Sequence, residues 1–197
     1  MNTQIFFVGD ELVAGYGDAR AMGWVGRTMA RSLSDPPLLA IPLAFPGETT
    51  DSLSLRWERE VLPRLDRECD NRLVIGLGSR DLGATSLARS RLYLANMLDN
   101  AQREGLSCFV VGPPPRLNIP ARAQEDLTRA YADVCERRKV IYVDTYNPLV
   151  HHEQWLTDMA TSPDGYCPRQ AGYGLITWLV FHKGWYRWLG INPPVTQ

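Results

Sequence analysis

Ile5-Phe6-Phe7-Val8-Gly9-Asp10-Glu11-Leu12-Val13-Ala14-Gly15-Tyr16-Gly17 opens as a short apolar run and breaks at Gly9-Asp10 into a loop punctuated by glycines. A short apolar run bounded by turn residues reads as a buried strand. Open α/β sheets carry their ligand-binding loops at the carboxyl ends of the strands. Asp10 and Glu11 therefore stand where chemistry is expected.

The alternation of apolar run and amphipathic segment continues downstream. Residues 23–33 read as a helix stopped by Asp35-Pro36-Pro37. Residues 38–45 form a nearly continuous apolar run, the pattern of a strand covered on both faces. Thr49, Thr50 and Asp51 cap a helix that carries Leu53, Trp57, Val61 and Leu65, and a third strand follows at 73–77. The helix at 86–103 sets Leu87, Leu94, Leu98 and Ala101 on one face and ends at Gly105. A fourth strand at 109–111 closes on Gly112-Pro113-Pro114-Pro115, which can neither coil into a helix nor join a ladder. Leu127, Ala130, Tyr131, Val134 and Cys135 keep strict helical spacing, and 140–143 is a short fifth strand. A further helix is expected within 147–159. The final helix puts Ala171, Leu175, Trp178, Leu179 and His182 on one face, with Trp185 and Trp188 sealing it against the body by core or edge packing. Strands alternating with helices imply right-handed crossovers and one α/β domain over 1–197: a three-layer α/β/α sandwich around a five-stranded parallel sheet.

Composition excludes several classes of function. A chain that is 45% hydrophobic and 22% charged has ordinary globular composition, and at a net charge of −1 no basic surplus points to nucleic acid or anionic lipid. The amino terminus enters the first strand at once, without the basic and apolar regions of a cleavable leader. No window reaches the length of a membrane span. A soluble, cytoplasmic protein is the expectation. Cys69, Cys108, Cys135 and Cys167 are scattered, with no paired spacing and no His at ligand distance in sequence, so neither a structural metal nor a disulfide framework is expected. Cys108 and Cys135 read as buried thiols.

Three more segments join Gly9-Asp10-Glu11-Leu12 in order along the chain. They are Ala44-Phe45-Pro46-Gly47-Glu48-Thr49-Thr50, then Leu77-Gly78-Ser79-Arg80-Asp81-Leu82, then Asp164-Gly165-Tyr166-Cys167-Pro168 with Ala171-Gly172-Tyr173. Together they resemble the four blocks of the SGNH (GDSL) hydrolase family, whose fold is flavodoxin-like. The resemblance implies a strand order in which the first strand lies between the second and third, with the fourth and fifth beyond. It assigns family catalytic positions to Glu11, Gly47, Arg80, Asp164 and Cys167. Glu11 stands where the family has its nucleophilic Ser, and Gly47 keeps the residue that supplies an oxyanion-hole N–H. Arg80 replaces the oxyanion Asn, and Cys167 replaces the catalytic His of the Asp-x-x-His block that Asp164 opens. Asp10 and Asp81 match positions that hold loop backbone.

A Ser hydrolase needs a nucleophile, a base and donors aimed at the developing oxyanion. Glu11 supplies no hydroxyl and Cys167 no imidazole. Ser79 and the Cys167 thiol are alternative nucleophiles, but His151, His152 and His182 read as surface or packing residues rather than bases. Glu11 reads either as a structural carboxylate neutralised by Arg80, or as a carboxylate base or nucleophile working with Asp164. Two functions follow. The chain is a degenerate relative that binds a small molecule or a partner, or it is an esterase or acylhydrolase acting on an acyl-ester ligand through rearranged residues. Neither requires a cofactor.

Overall fold

β1 (Thr3–Gly9) sends Ile5 and Phe7 into one apolar core and Phe6 and Val8 into another, as the two-residue period of a strand requires. The structure, a computed structural model, describes residues 2–194. The chain continues through α1 (Glu11–Ala14), α2 (Gly23–Ala30), β2 (Leu39–Ala44), α3 (Thr50–Val61), β3 (Asp70–Gly76) and α4 (Leu87–Arg103). It closes with β4 (Ser107–Val111), α5 (Ala121–Arg137), β5 (Ile141–Val143), α6 (Tyr146–Leu149), α7 (Glu153–Ala160), α8 (Gln170–His182) and α9 (Trp185–Leu189). All strand pairs are parallel, in the order β2-β1-β3-β4-β5.

The two cores are the two faces of this sheet. Val74, Phe109 and Val111 join Ile5 and Phe7 under Trp24, Trp155, Tyr173 and Trp185, which come from α2, α7, α8 and α9. Leu73, Ile75 and Val110 join Phe6 and Val8 under Leu53, Trp57, Leu94, Leu98, Leu127 and Tyr131 of α3, α4 and α5. Each fully buried aliphatic or aromatic side chain contributes about 1.5–3 kcal/mol relative to exposure. That burial on both faces explains why the inner strands read as unbroken apolar runs.

β2 departs from the expectation of full cover. It is an edge strand, with Leu39, and Phe45 just after it, more than half exposed. Ala40, Pro42 and Ala44 line an open groove of about 540 Å³ with Val13, Met22 and Val25. Pro42 is the sequence sign of an edge, because it has no N–H to give to a second neighbour.

The last helices also differ from the sequence reading. Residues 147–159 fall in two helices, α6 and α7, and α9 follows α8. Of the residues Ala171, Leu175, Trp178, Leu179 and His182 read as one face of α8, Leu179 is buried and Leu175 partly so, while Trp178, 54% exposed, stacks on His182 on the outward side. Tyr173, Ile176, Thr177 and Val180 face the core instead. α8 is apolar nearly all round, so hydrophobicity alone does not say which side is buried. Trp185 fills the core beside Phe7 and Phe109, and Trp188 packs on Phe109 at the edge. Among the described residues no helix is long and apolar enough to cross a membrane.

Register brings the loops together. Gly9 pairs with Ala44 and Gly76, Gly76 with Val111, and Val111 with Val143. The strands therefore end in line, and the segments that follow them share one edge of the sheet.

Candidate active site

Gly9 turns the chain out of β1 at φ +147°, and a Cβ there would overlap the Gly76 carbonyl oxygen. Only glycine leaves this turn unstrained. Asp10 follows and accepts a hydrogen bond from the Leu12 N–H at 3.0 Å, capping the single turn of α1. Glu11 is the first residue of that turn and is buried.

Because β1 lies between β2 and β3, Glu11 reaches the loops after both. Its Oε2 accepts the Gly47 N–H at 2.7 Å, and its Oε1 forms an ion pair with the Arg80 guanidinium. Arg80 lies over the ring of Tyr166, with Cζ 3.7 Å from the centroid. The Tyr166 hydroxyl donates to the second carboxylate oxygen of Asp10. Gly78 makes room for this contact, since a Cβ there would overlap both the Tyr166 hydroxyl and Asp10. Arg116 also lies over the Tyr166 ring, 4.3 Å from its centroid.

Burial pushes the Asp10 carboxyl up from its ordinary 3.8 to about 6, against the opposing pull of the Tyr166 hydroxyl, the Leu12 N–H and the Arg80 charge. Folded protein thus holds a proton that the unfolded chain releases. The corresponding stability is complete below about pH 4 and is lost as pH rises through about 6, an effect of up to roughly 3 kcal/mol at 1.36 kcal/mol per unit. In Asp10→Asn this part of the pH dependence is expected to vanish. Urea midpoints at acid and neutral pH check it; parallel profiles for the two chains would remove Asp10 as the source.

The last block is built as a clamp on itself. Asp164 Oδ1 accepts the N–H groups of Tyr166 and Cys167, each at 2.9 Å, and the Ser162 hydroxyl at 3.0 Å. Partial burial works to raise the Asp164 pKa, but these donors outweigh it and hold the carboxyl below its usual range. Glu11 and Asp164 therefore each have separate partners. Cys167 is fully buried, and burial, reinforced by the charges of Asp164 and Asp10, pushes its thiol far above the ordinary cysteine range. A thiol so placed is not a thiolate at neutral pH. Ser79 is buried with no hydrogen-bond partner for its Oγ. His151, His152 and His182 are exposed, at the start of α7 and the end of α8.

Asp81 reaches well beyond its own loop. It accepts the Thr50 N–H at 2.8 Å, the Thr50 hydroxyl at 2.5 Å and the Tyr131 hydroxyl at 2.7 Å. The other buried cysteines behave as small hydrophobes, with burial raising Cys108 and Cys135 to about 12. Among the described residues no group of three or more His, Cys, Asp or Glu is placed to hold a metal ion.

Two residues of this cluster escaped the sequence reading. Tyr166 sits between Asp164 and Pro168, yet nothing in its spacing marks it as the contact between Asp10 and two arginines. Arg116 follows the rigid run of prolines at the end of β4, so its signal was position: a cation held at the edge where the other loops meet.

A model of the GDSL-like Lipase/Acylhydrolase family matches residues 7–175. No curated protein sequence gives a significant match. Among solved structures, the lipase/acylhydrolase from Enterococcus faecalis is similar at a TM-score of 0.77 and 23% identity, covering 98% of this chain and 100% of its own. A psychrotrophic esterase from Pseudoalteromonas sp. aligns at a TM-score of 0.69 and 18% identity, over 95% of this chain and 99% of its own. An acetylxylan esterase from Geobacillus stearothermophilus aligns at 0.73 and 17%, over 96% of this chain and 95% of its own. At such identities the likeness is one of fold.

Proposed function

We propose that this chain, which belongs to the GDSL-like Lipase/Acylhydrolase family, has exchanged Ser-dependent ester hydrolysis for the binding of a small molecule at the former catalytic cleft. One observation carries the reading: the Gly47 N–H donates to Glu11. In an acyl-transfer site that donor must be free to meet the oxyanion as charge develops on it. Here a resident carboxylate has already taken it, and the same carboxylate holds Arg80.

The remaining positions point the same way. A hydroxyl nucleophile requires a base within hydrogen-bond reach. Where the family carries its imidazole, this chain buries the Cys167 thiol, and its three histidines are on the surface. Ser79 is buried and has no partner to take its proton.

The purified chain is expected to show no turnover of short-chain aryl esters attributable to Glu11. Weak background hydrolysis is compatible with this, because binding and an N–H donor alone leave residual catalysis. Robust turnover that disappears in Glu11→Ala or in Cys167→Ala would instead establish a hydrolase with rearranged residues.

A further inference from the structure

β4 runs directly into Gly112-Pro113-Pro114-Pro115, all buried. Proline's fixed φ and missing N–H hold such a segment extended, and it delivers Arg116 to the Tyr166 ring beside Arg80. Gln124 then clamps the Arg116 backbone: the Arg116 N–H donates to the Gln124 amide oxygen at 2.7 Å, and the Arg116 carbonyl accepts from the Gln124 amide nitrogen at 3.0 Å. Gln124 is itself buried. The backbone of this cation is thus fixed on both sides.

The side chain is less well satisfied. Among the described residues Arg116 forms no ion pair, and its Nε is buried with no hydrogen-bond partner. A guanidinium carries five donors in a rigid fork, and an unmade hydrogen bond to a buried donor is costly. Desolvation and the nearby Arg80 charge depress the Arg116 pKa, with Tyr166 and the Asp164 charge partly offsetting them. Its neighbour differs in one respect: Arg80 has Glu11, although the Arg80 Nε is likewise buried and unpaired. Both guanidinium carbons lie over the Tyr166 ring, so they are separated by at most the sum of their distances to it, 8.0 Å.

We propose that Arg116, with Arg80 beside it over the Tyr166 ring, reads the carboxylate of a small organic acid at the sheet edge that carries Glu11. This assignment rests on the binding role proposed above and names its ligand class. With Arg80 paired to Glu11 and Asp164 near Arg116 but not ion-paired with it, at most one cation is left to be matched, and a monoanion complements it. The planar fork of arginine suits a carboxylate, with charge-assisted bonds stronger than neutral ones. Glu11 shows that donors of this cleft already hold one carboxylate. A phosphate dianion would bring a second negative charge close to Glu11 and Asp164.

The test titrates the full chain with butyrate, butyramide and inorganic phosphate, following binding by calorimetry and the arginine Nε–H signals by NMR. Butyrate is expected to bind and to shift an Nε–H signal that is missing from Arg116→Gln. Butyramide and phosphate should bind at least about tenfold more weakly, and Arg116→Gln should weaken butyrate by a similar factor. Arg116→Lys, which keeps the charge and loses the fork, should fall between. Absence of butyrate binding, equal binding of butyrate and butyramide, tighter binding of phosphate, or unchanged affinity in a folded Arg116→Gln would each overturn the assignment. The NMR titration of the unaltered chain decides the matter should the variant not fold. Hydrolysis of an aryl butyrate, measured on the same preparation, tests the non-hydrolase reading separately. Robust turnover there that disappears in Glu11→Ala or Cys167→Ala would end that reading and leave the butyrate affinities as measured.

Discussion

Glu11→Ser/Arg80→Asn/Cys167→His is expected to raise kcat/KM for a short-chain aryl ester by at least about 100-fold over the unaltered chain, because it returns three interdependent parts at once. Removing the Glu11 carboxylate frees the Gly47 N–H, and one such donor is worth on the order of 100- to 1,000-fold in turnover. Removing Arg80 in the same chain avoids leaving its charge without the partner it now has. The third change is the hardest to accommodate. Cys167 has no exposed surface, and Gly17 lies against its Cβ. Replacing a thiol by an imidazole therefore overpacks the site unless the ring turns toward the cleft, with about 1–3 kcal/mol at stake. Asp164, already hydrogen-bonded to the Cys167 N–H, is the available carboxylate to orient that ring. Glu11→Ser alone should gain little, since a hydroxyl without a base remains a weak nucleophile. Melting curves must accompany the assay. If the triple variant is folded and no faster than Glu11→Ser, the loss of activity lies elsewhere than in these three side chains.

How far the cleft could be read in advance depended on whether a residue's role is set by the backbone or by its neighbours. β1, β3 and β4 announce themselves as apolar runs because both their faces are buried, and strand order places Glu11 between the loops that bear Gly47 and Arg80. The ion pair follows from that placement. The groove along β2 did not follow from its apolar run, because an edge strand can be as apolar as an inner one; only Pro42 and the strand order implied by the resemblance put β2 at the edge. Nor did the outward face of α8, whose Trp178 is apolar yet exposed while Thr177 beside it is buried. Tyr166 is illegible in the sequence, and Arg116 marked only by its position, for another reason. Their contact depends on a guanidinium and a ring from loops about fifty residues apart meeting over Asp10, and no local periodicity encodes such a meeting.

Asp81→Ala is expected to be the most destabilising single polar change at this edge of the sheet, costing about 3–5 kcal/mol in urea or thermal unfolding. Asp81 is buried and ties three segments: its own loop after β3, the first residue of α3 through the Thr50 N–H and hydroxyl, and the middle of α5 through the Tyr131 hydroxyl. Truncation leaves those donors buried, and each unsatisfied group costs about 1–3 kcal/mol. The Thr50 N–H belongs to the first turn of α3, where backbone donors have no intrahelical partner. A second substitution separates lost hydrogen bonds from lost volume. In the native background Tyr131→Phe removes the donor that Asp81 accepts and should destabilise the protein. In the Asp81→Ala background the same change deletes a hydroxyl already left without its partner, so it should cost little or even restore stability. Equal costs of Tyr131→Phe in both backgrounds would show that the bond is not coupled in this way. Because the Asp81 carboxylate ties the loop that carries Arg80 to α3 and α5 through Thr50 and Tyr131, the folded fraction of Asp81→Ala should lose affinity for butyrate as well, which links the stability of this edge to the ligand proposed for it.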